Sequence, residues 1–366
     1  TIGNSVTTIG NEAFYDCEYV GLGRNVESLA YEAVSSNYVS IPSTVTGFSE
    51  NSIRGRFCIT IYFDGTEAEF ASLLDNNYIV FESDDYECDE VKYGLPEVMK
   101  VDDDFAYIVY NNEIEIIGYN RNKTDVVIPE TIEGKPVKTI GKFAFMGAYE
   151  GIYAPLLKTV SIPNTVEKID SYAFQGNYEL EELIIPDSVK YIGAEAIVSF
   201  YTDIIIGSGV ERLGTCAVLT ECTIVLPSTV SGFTDESIYC SKLYYDGTDE
   251  QLLPLLEAGY VSFSERELCD TKEFTVSGDY KYIVNGNNEA EILRYLGNDN
   301  VVSIPSEIDG LPVTALGNSS FFRAKIDFDY LDLVNTIQVE ELTIPDSVTE
   351  IGELFFELII LMGTIK

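Results

Sequence analysis

The stretch that decides the fold reads Ile162-Pro163-Asn164-Thr165-Val166-Glu167-Lys168-Ile169-Asp170-Ser171-Tyr172-Ala173-Phe174. Its opening Ile-Pro or Leu-Pro pair, followed by the same apolar spacing, occurs seven times in the 366 residues. The pairs are Ile41-Pro42, Ile128-Pro129, Ile162-Pro163, Ile185-Pro186, Leu226-Pro227, Ile304-Pro305 and Ile344-Pro345. A short unit repeated in this way predicts a solenoid, whose coils contact only their neighbours. The fold class that we expect is an α/β solenoid.

The residues around Pro163 predict a short strand in each coil. Val160 and Ile162 alternate with Ser161, which is the period of a strand with one buried face. Pro163 then ends the strand, because it has no N–H to donate to a neighbouring strand. Successive coils would place these strands side by side and parallel, and would bury a continuous core that a single unit cannot form.

The second half of each unit predicts the corners of the coil. We expect Val166 and Ile169 to point inward on the next side. A glycine follows the second Ile of many units, as at Gly193, where we expect a tight corner that needs a permissive backbone. The pair Ala173-Phe174 is expected on a short helical turn, where the small Ala allows close approach and the Phe fills the centre.

A larger unit, which we call the super-unit, is also repeated. Four stretches match: Ile41–Phe48 with Leu226–Phe233, Tyr62–Thr66 with Tyr244–Thr248, Phe105–Val109 with Tyr280–Val284, and Ile128–Val137 with Ile304–Val313. We predict three domains. Residues 1–88 form repeat coils ending in a helical module, residues 89–269 a hairpin, repeat coils and a second helical module, and residues 270–366 a hairpin and truncated repeat coils. We expect a mature or trimmed fragment, with its targeting signal and any anchor outside this chain.

Two kinds of insert interrupt the repeats. Thr66 to Glu69 and Thr248 to Gln251 have the spacing of a capping box, and apolar residues follow each, so both predict a short helix on the solenoid flank. Residues 105–117 and 280–293 alternate apolar and polar side chains, with Asn and Gly residues between the arms. These two stretches predict β-hairpins.

The charge and the residue types exclude several functions. The chain has 22 basic and 61 acidic residues, a net charge of −39. Nucleic-acid phosphates need Lys and Arg partners, so nucleic acid is excluded, and an anionic membrane surface is excluded for the same reason. The absence of His removes Ser-His-Asp and Cys-His catalysis and His-based zinc sites. No stretch approaches the ~20 apolar residues of a transmembrane helix.

With the pattern Ile-Pro-x-x-Val-x-x-Ile-Gly-x-x-Ala-Phe established, the sequence resembles the BspA-like leucine-rich repeat family of bacterial surface proteins. The units Ile185–Gly193 and Ile344–Gly352 are similar to its consensus, and Asp64-Gly65-Thr66 is similar to its inserted helical module. Departures are units with Gly in place of Pro, at Leu22-Gly23 and Ile206-Gly207. The resemblance implies a leucine-rich-repeat-type right-handed coil with short parallel strands, short helical turns and inserted hairpin and helix modules.

The same resemblance implies a secreted, extracellular or cell-surface protein with a role in adhesion or host-protein binding. It implies no enzyme activity, no catalytic residues, no cofactors and no metal. Our first hypothesis for the function is therefore a non-enzymatic solenoid that binds another macromolecule, a protein or a glycan. The alternatives are a structural spacer that projects other domains and, further off, a carbohydrate-active enzyme, which would need two carboxylates held in a groove.

Seven cysteines raise a question of pairing. Cys58 and Cys88 in one super-unit and Cys240 and Cys269 in the other have nearly the same spacing. One hypothesis is a disulfide within each half, as suits an exported protein. The alternative is that these cysteines are small buried apolar residues of the repeat cores.

The aspartate runs Asp84-Asp85 and Asp102-Asp103-Asp104 are candidate ligands for Ca²⁺, which favours oxygen. They lack the spacing of a known calcium loop, and charge runs usually mark solvated linkers.

The strand alternation predicts which side chains point away from the coil interior. These residues form a candidate ligand-facing row of mixed polarity, and the alternative is an ordinary solvated sheet face. The row comprises Tyr38, Ser40, Thr159, Ser161, Glu182, Ile184, Thr223, Val225 and Ser303.

Overall fold

The computed structural model describes residues 2–3, 5–55, 58–81, 88–97, 99–120, 123–147, 157–268, 274–321, 324–327, 332–335, 339, 341–352 and 364–365. Over this part of the chain, short strands of successive coils pair in parallel to form a solenoid. Antiparallel pairing is confined to the hairpins and to short local pairs. The α/β solenoid with inserted modules is therefore confirmed.

The elements are as follows. The first super-unit contains β1 (Thr8–Ile9), β2 (Phe14–Gly21), β3 (Ser28–Leu29), β4 (Val34–Pro42), β5 (Gly47–Phe48), β6 (Ile53–Arg54), β7 (Thr60–Asp64), α1 (Glu67–Asp75), β8 (Ile79–Val80) and β9 (Glu90–Tyr93). The second contains β10 (Lys100–Val101), β11 (Phe105–Tyr110), β12 (Glu113–Tyr119), β13 (Asp125–Val127), β14 (Thr131–Ile132), β15 (Lys135–Ile140), β16 (Thr159–Ser161), β17 (Lys168–Ile169), β18 (Glu182–Ile184), β19 (Tyr191–Ile192), β20 (Ile197–Val198), β21 (Asp203–Ile205), β22 (Arg212–Leu213), β23 (Val218–Leu219), β24 (Thr223–Leu226), β25 (Ile238–Tyr245), α2 (Asp249–Glu257) and β26 (Val261–Leu268). The third contains β27 (Thr275–Ser277), β28 (Tyr280–Val284), β29 (Ala290–Tyr295), β30 (Val301–Ser303), β31 (Glu307–Ile308), β32 (Leu311–Leu316), β33 (Ala324–Asp327), β34 (Asp332–Asn335), β35 (Glu341–Thr343), β36 (Glu350–Ile351) and β37 (Thr364–Ile365). The division of the chain at residues 88 and 269 stays a prediction.

The core consists of columns of equivalent side chains from consecutive coils. Ile169 packs beneath Ile192, since β17 pairs with β19 in parallel and both side chains are buried. The rings of Phe145 and Phe174 stack with their centroids 5.2 Å apart. Each fully buried aliphatic or aromatic side chain contributes about 1.5–3 kcal/mol to the free energy of folding. The repeated unit thus forms a continuous interior, as its spacing predicts.

The corner at Ala173-Phe174 differs from the prediction. Ala173 N–H donates to the Asp170 carbonyl and Gln175 N–H to the Tyr172 carbonyl, both at 3.3 Å, which defines tight turns and not a helical turn. In later coils the matching segment forms the strands β20 and β23. Helices in the described part of the chain are the inserted modules α1 and α2. The helical content is therefore smaller than we expected.

The glycine after the second Ile has a different role from the one predicted. Gly193 is not among the residues with positive φ, whereas Tyr172 and Glu195, which directly precede an Ala, have φ of 62° and 48°. A Cβ on Gly193 would lie 2.5 Å from the Ser171 backbone nitrogen of the preceding coil. Glycine is needed here for close packing of coils, while the left-handed conformation falls on residues with side chains.

Both kinds of insert are confirmed. Helix α1 begins with a capping box in which Glu69 N–H donates to Thr66 Oγ1 and Thr66 N–H donates to Glu69 Oε2. Strands β11 and β12 form the first hairpin, and β28 and β29 form the second. Each hairpin continues into the solenoid, because β12 pairs in parallel with β15 and β29 with β32.

Candidate functional site

The candidate site lies on the outer strand face, by which we mean the side chains of strands β16, β18, β21, β24 and β25 that point away from the core. In β18, Leu183 is buried in the core, so Glu182 and Ile184 on either side of it face outward. The parallel register continues this face from coil to coil, placing Glu182 beside Asp203 and Ile184 beside Ile205. The next strand along places Val225 beside Ile205.

The second hairpin covers part of this face. Its residues Ile283 and Leu293 pack against Ile205, Val225 and Tyr244 in one buried cluster. We call this contact the second junction. Val225 is consequently only 4% exposed, and Thr223, on the same strand, is also buried. Our expectation that Thr223 and Val225 belong to an open ligand-facing row is wrong, because both are buried and the second hairpin lies on Val225.

The first hairpin covers the equivalent face of the first super-unit. Ile108 and Ile117 pack against Tyr38 and Tyr62 in a separate buried cluster, which we call the first junction. Tyr38 is 1% exposed, and its hydroxyl accepts a hydrogen bond of 2.6 Å from the Lys142 backbone N–H. Ser40 is buried as well. The prediction that Tyr38 and Ser40 are open to a ligand is therefore also wrong.

The first junction contains a buried ionic network. Glu115 accepts a hydrogen bond of 2.9 Å from the Tyr62 hydroxyl and forms an ion pair of 2.7 Å with Lys92. Asp170 lies between Lys168 at 2.9 Å and Lys142 at 3.5 Å. Burial alone would raise the pKa of Asp170, but the two ammonium groups outweigh it and hold that pKa below its ordinary value.

Burial also lowers the pKa of Lys142, although Asp170 opposes that effect. The pKa of Lys168 is instead raised, because Asp170 and Glu90 overcome its desolvation. These charges are tied to one another inside the protein. Each of these charged side chains lies beside a group of opposite charge within the first junction.

The second junction repeats the contact of tyrosine, glutamate and lysine seen in the first. Glu291 accepts a hydrogen bond from the Tyr244 hydroxyl and pairs with Lys242 at 2.8 Å. In the first junction the place of Lys242 on the strand is taken by Thr60, whose hydroxyl accepts from the ammonium of Lys142 on the opposite side. In each junction the lysine that pairs with the glutamate comes from the preceding super-unit, Lys92 in the first and Lys242 in the second. Lys142 is an additional buried lysine of the first junction, and its ammonium contacts Thr60 and Asp170.

Upstream of the second junction, the outer strand face is uncovered and forms a groove. Its floor is Thr159, Ser161, Glu182 and Ile184. Its wall is formed by Phe274 and Val276, in and just before β27, the strand that pairs with β28 of the second hairpin. The groove has a volume of about 900 Å³. Ile184 on the floor is 48% exposed and Val276 on the wall is 60% exposed. We call this feature the strand-face groove.

Four of the nine predicted row residues therefore meet in one place. Thr159, Ser161, Glu182 and Ile184 line the strand-face groove. Ser303 is exposed on β30 in the third super-unit and is not part of it. Residues that sequence reasoning missed are Lys281 of the second hairpin, and Phe274 and Val276 of the neighbouring segment that contains β27. Their signal was the second hairpin itself, which was predicted as an element but not placed on the strand face.

The cysteines behave differently in the two halves. Cys58 and Cys88 form a disulfide with a Cα–Cα distance of 5.3 Å, which confirms that pairing. Cys240 is a free, buried cysteine, so the matching disulfide is wrong. Cys269 itself lies outside the described residues. The β25–β26 register sets Phe263 opposite Cys240 and Leu268 opposite Tyr245, which places the end of β26 far along the strand from Cys240.

The aspartate runs have structural partners where they are described. Asp102 Oδ1 accepts hydrogen bonds from the backbone N–H groups of Asp104 and Phe105, and Asp104 pairs with Lys123 at 2.9 Å. Asp84 and Asp85 lie outside the described residues. Among the residues that the structure covers, no group of three or more acidic, Cys or His side chains is arranged to hold a metal ion. None of the helices described is long and apolar enough to cross a membrane.

Coils, strand-face groove and junctions together define a leucine-rich-repeat solenoid. The sequence profile of the BspA type leucine-rich repeat region matches in six copies, over residues 1–66 and 115–244. The chain belongs to this family. No curated protein has a sequence that matches it significantly.

Three solved structures illustrate the similarity. A leucine-rich cell surface protein from Faecalibacterium prausnitzii is 19% identical, and the match covers 70% of this chain and 73% of that protein with a TM-score of 0.28. The pneumococcal vaccine antigen PcpA is 16% identical, and the match covers 74% of this chain and 70% of PcpA with a TM-score of 0.28. A leucine-rich repeat protein from Bacteroides ovatus is 20% identical, and the match covers 69% of this chain and 61% of that protein with a TM-score of 0.33.

Proposed function

We propose that this chain is a non-enzymatic binding protein of the bacterial cell surface, and that the strand-face groove binds a macromolecule in an adhesive or host-directed role. The observation that carries the proposal is the contrast along one row. Ile205 and Val225 are covered by the second hairpin, whereas Ile184 in the same row is half exposed. Exposed apolar side chains beside a wall of the same character are typical of an interaction surface.

The charge of the chain supports the same proposal. A net charge of −39 favours partners with basic or neutral surfaces and keeps the unbound protein soluble. Nucleic acid and anionic membranes are not expected partners, because both repel such a surface.

A structural spacer is the second candidate, and the two junctions favour it. Each hairpin packs on the preceding super-unit through buried apolar side chains and a buried ionic network. Such interlocking resists bending between super-units, which suits a protein that holds another domain away from the cell. A spacer does not need the strand-face groove.

The test is a binding screen with a groove variant. The immobilised chain is exposed to panels of extracellular matrix proteins and glycans, and each hit is measured again with Ile184→Asp. Val301→Asp is the matched control, since Val301 is an exposed strand residue of the third super-unit. We expect Ile184→Asp to weaken binding by about tenfold or more, because it places a charge on an apolar contact, and we expect the control to bind normally. No binding in either panel, or an equal loss of affinity from the two substitutions, would favour the spacer.

A further inference from the structure

The second hairpin shows how this strand face is recognised, because it acts as an internal ligand. Lys281 of β28 forms an ion pair of 2.7 Å with Asp203, and Ile283, two residues later, belongs to the same buried apolar cluster as Ile205. Asp203 and Ile205 are themselves two residues apart on β21. Strand β21 therefore presents an acidic residue and, two positions later, an aliphatic residue. Strand β28 presents a cationic residue and, two positions later, an aliphatic residue.

The same pair of side chains recurs one coil earlier without a cover. Glu182 and Ile184 lie beside Asp203 and Ile205 in register, and they form part of the floor of the strand-face groove. Glu182 keeps a third of its side chain exposed and makes one longer ion pair, 3.5 Å, with Lys281. The ammonium of Lys281 is closer to Asp203, and it also lies over the Phe274 ring, 4.9 Å from the ring centroid.

The wall of the groove offers a second kind of contact. Strand β27 pairs through Thr275–Ser277 with β28 on one side, and within the described residues its other edge has no strand partner. Val276 on this strand is among the exposed apolar residues. An open strand edge beside a row of side-chain sites is the arrangement by which extended peptides add to a sheet.

We propose, resting on the binding role given above, that the strand-face groove takes an extended segment of a partner protein in which a lysine or arginine precedes an aliphatic residue by two positions. The cation pairs with Glu182, the aliphatic side chain covers Ile184, and the backbone lies along the edge of β27. The net charge of −39 attracts such a segment and repels acidic ones.

The experiment uses two defined peptides and the whole chain. The first probe is a fluorescein-labelled, end-capped peptide, Thr-Thr-Lys-Thr-Ile-Thr-Thr-Gly, and the second has Glu in place of Lys. Binding is followed by fluorescence anisotropy at low and at physiological ionic strength. We expect the Lys peptide to bind at least about tenfold more tightly than the Glu peptide, and the difference to shrink with salt.

Substitutions on the floor of the strand-face groove test which residues contact the peptide. Glu182→Lys is expected to reverse the preference so that the Glu peptide binds better, and Ile184→Asp to weaken both peptides. Glu341→Lys is the matched charge control, since Glu341 lies on strand β35 of the third super-unit. It is expected to leave the preference for the Lys peptide unchanged. Reversal that follows Glu182 alone distinguishes a local contact from a general effect of charge.

Two results would overturn the proposal. One is no saturable binding of the Lys peptide up to about 1 mM, which corresponds to only about 4 kcal/mol of binding free energy. The other is a peptide preference that Glu182→Lys does not change. If Ile184→Asp still abolishes binding of a partner from the screen, the groove keeps its binding role and only this peptide specificity is wrong. If Ile184→Asp leaves every such partner bound, the binding role of the groove is wrong as well.

Discussion

Asp170 forms ion pairs with two lysines, Lys142 and Lys168. Lys142 has no exposed side-chain area and Asp170 has 3%. Removing one member of a buried ion pair leaves an uncompensated charge, whereas replacing both by apolar or neutral groups of similar size is often tolerated. The first junction therefore depends on the pair as a unit more than on either charge.

We predict that Asp170→Asn lowers the free energy of unfolding by about 3 kcal/mol, because Lys142 loses its nearest anion inside the protein. The measurement is urea denaturation at neutral pH. Adding Lys142→Met to Asp170→Asn is expected to restore most of the loss. If the double variant is no more stable than Asp170→Asn alone, the ionic pairing is not what stabilises this junction.

The pH dependence of that stability has a fixed sign. The pKa of Asp170 is lowered in the folded protein by Lys142 and Lys168, against the effect of burial. Its contribution is therefore present above the ordinary aspartate pKa of about 3.9 and is lost as the pH falls below that value. Asp170→Asn should remove this acid-sensitive part of the unfolding free energy, so that the variant and the native chain converge at low pH.

At the scale of single elements, the sequence predicts strands, hairpins and capped helices well because each depends on local chemistry. The capping box at Thr66 and the strand period around Ser161 are examples. What covers a strand face depends on packing between distant elements, and the alternation of residues does not contain it. A partial signal exists. In Leu243-Tyr244-Tyr245 both faces of the strand are apolar, which is typical of a strand buried on both sides.

The cysteine pairs show the same limit. Their spacing is nearly equal in the two halves, yet only Cys58 and Cys88 are bonded in the described structure. The difference is one of register. Glu90, two residues after Cys88, pairs with Thr60, whereas Phe263 of β26 takes the position opposite Cys240. Equal distances along the chain therefore do not give equal distances in space.

We predict that replacing Cys58 and Cys88 together by Ala lowers the free energy of unfolding by about 3–4 kcal/mol, since the bond closes a long loop in the unfolded chain. Cys240→Ala is the control in the other half and should cost only about 1 kcal/mol for a small cavity. Thermal unfolding of the two proteins checks the difference. Similar shifts in both, or seven reactive thiols in the denatured and unreduced native chain, would contradict the disulfide.

At the scale of the whole molecule, the chain is a row of super-units joined by hairpins that lie back on the preceding strand face. This arrangement leaves the outer strand face covered at Val225 and Tyr244 and open at Ile184. The equivalent face of the first super-unit is covered at Tyr38 and Tyr62. The covered stretches are the contacts that hold neighbouring super-units together. We place the partner on the open stretch. There Glu182 and Ile184 present the same combination of an acidic and an aliphatic side chain that the second hairpin contacts in the next coil, at Asp203 and Ile205.

The most direct measurement is the reactivity of single cysteines along this face. In a background with Cys17→Ser, Cys216→Ser and Cys269→Ser, Ile184→Cys and Val225→Cys are treated with a maleimide in the native state. Ile184 is 48% exposed and Val225 is 4% exposed. We predict that Ile184→Cys reacts within about tenfold of the unfolded chain, and that Val225→Cys reacts about a hundredfold or more slowly, because the hairpin must open first. Equal rates at the two positions would contradict a strand face that is covered at one site and open at the other.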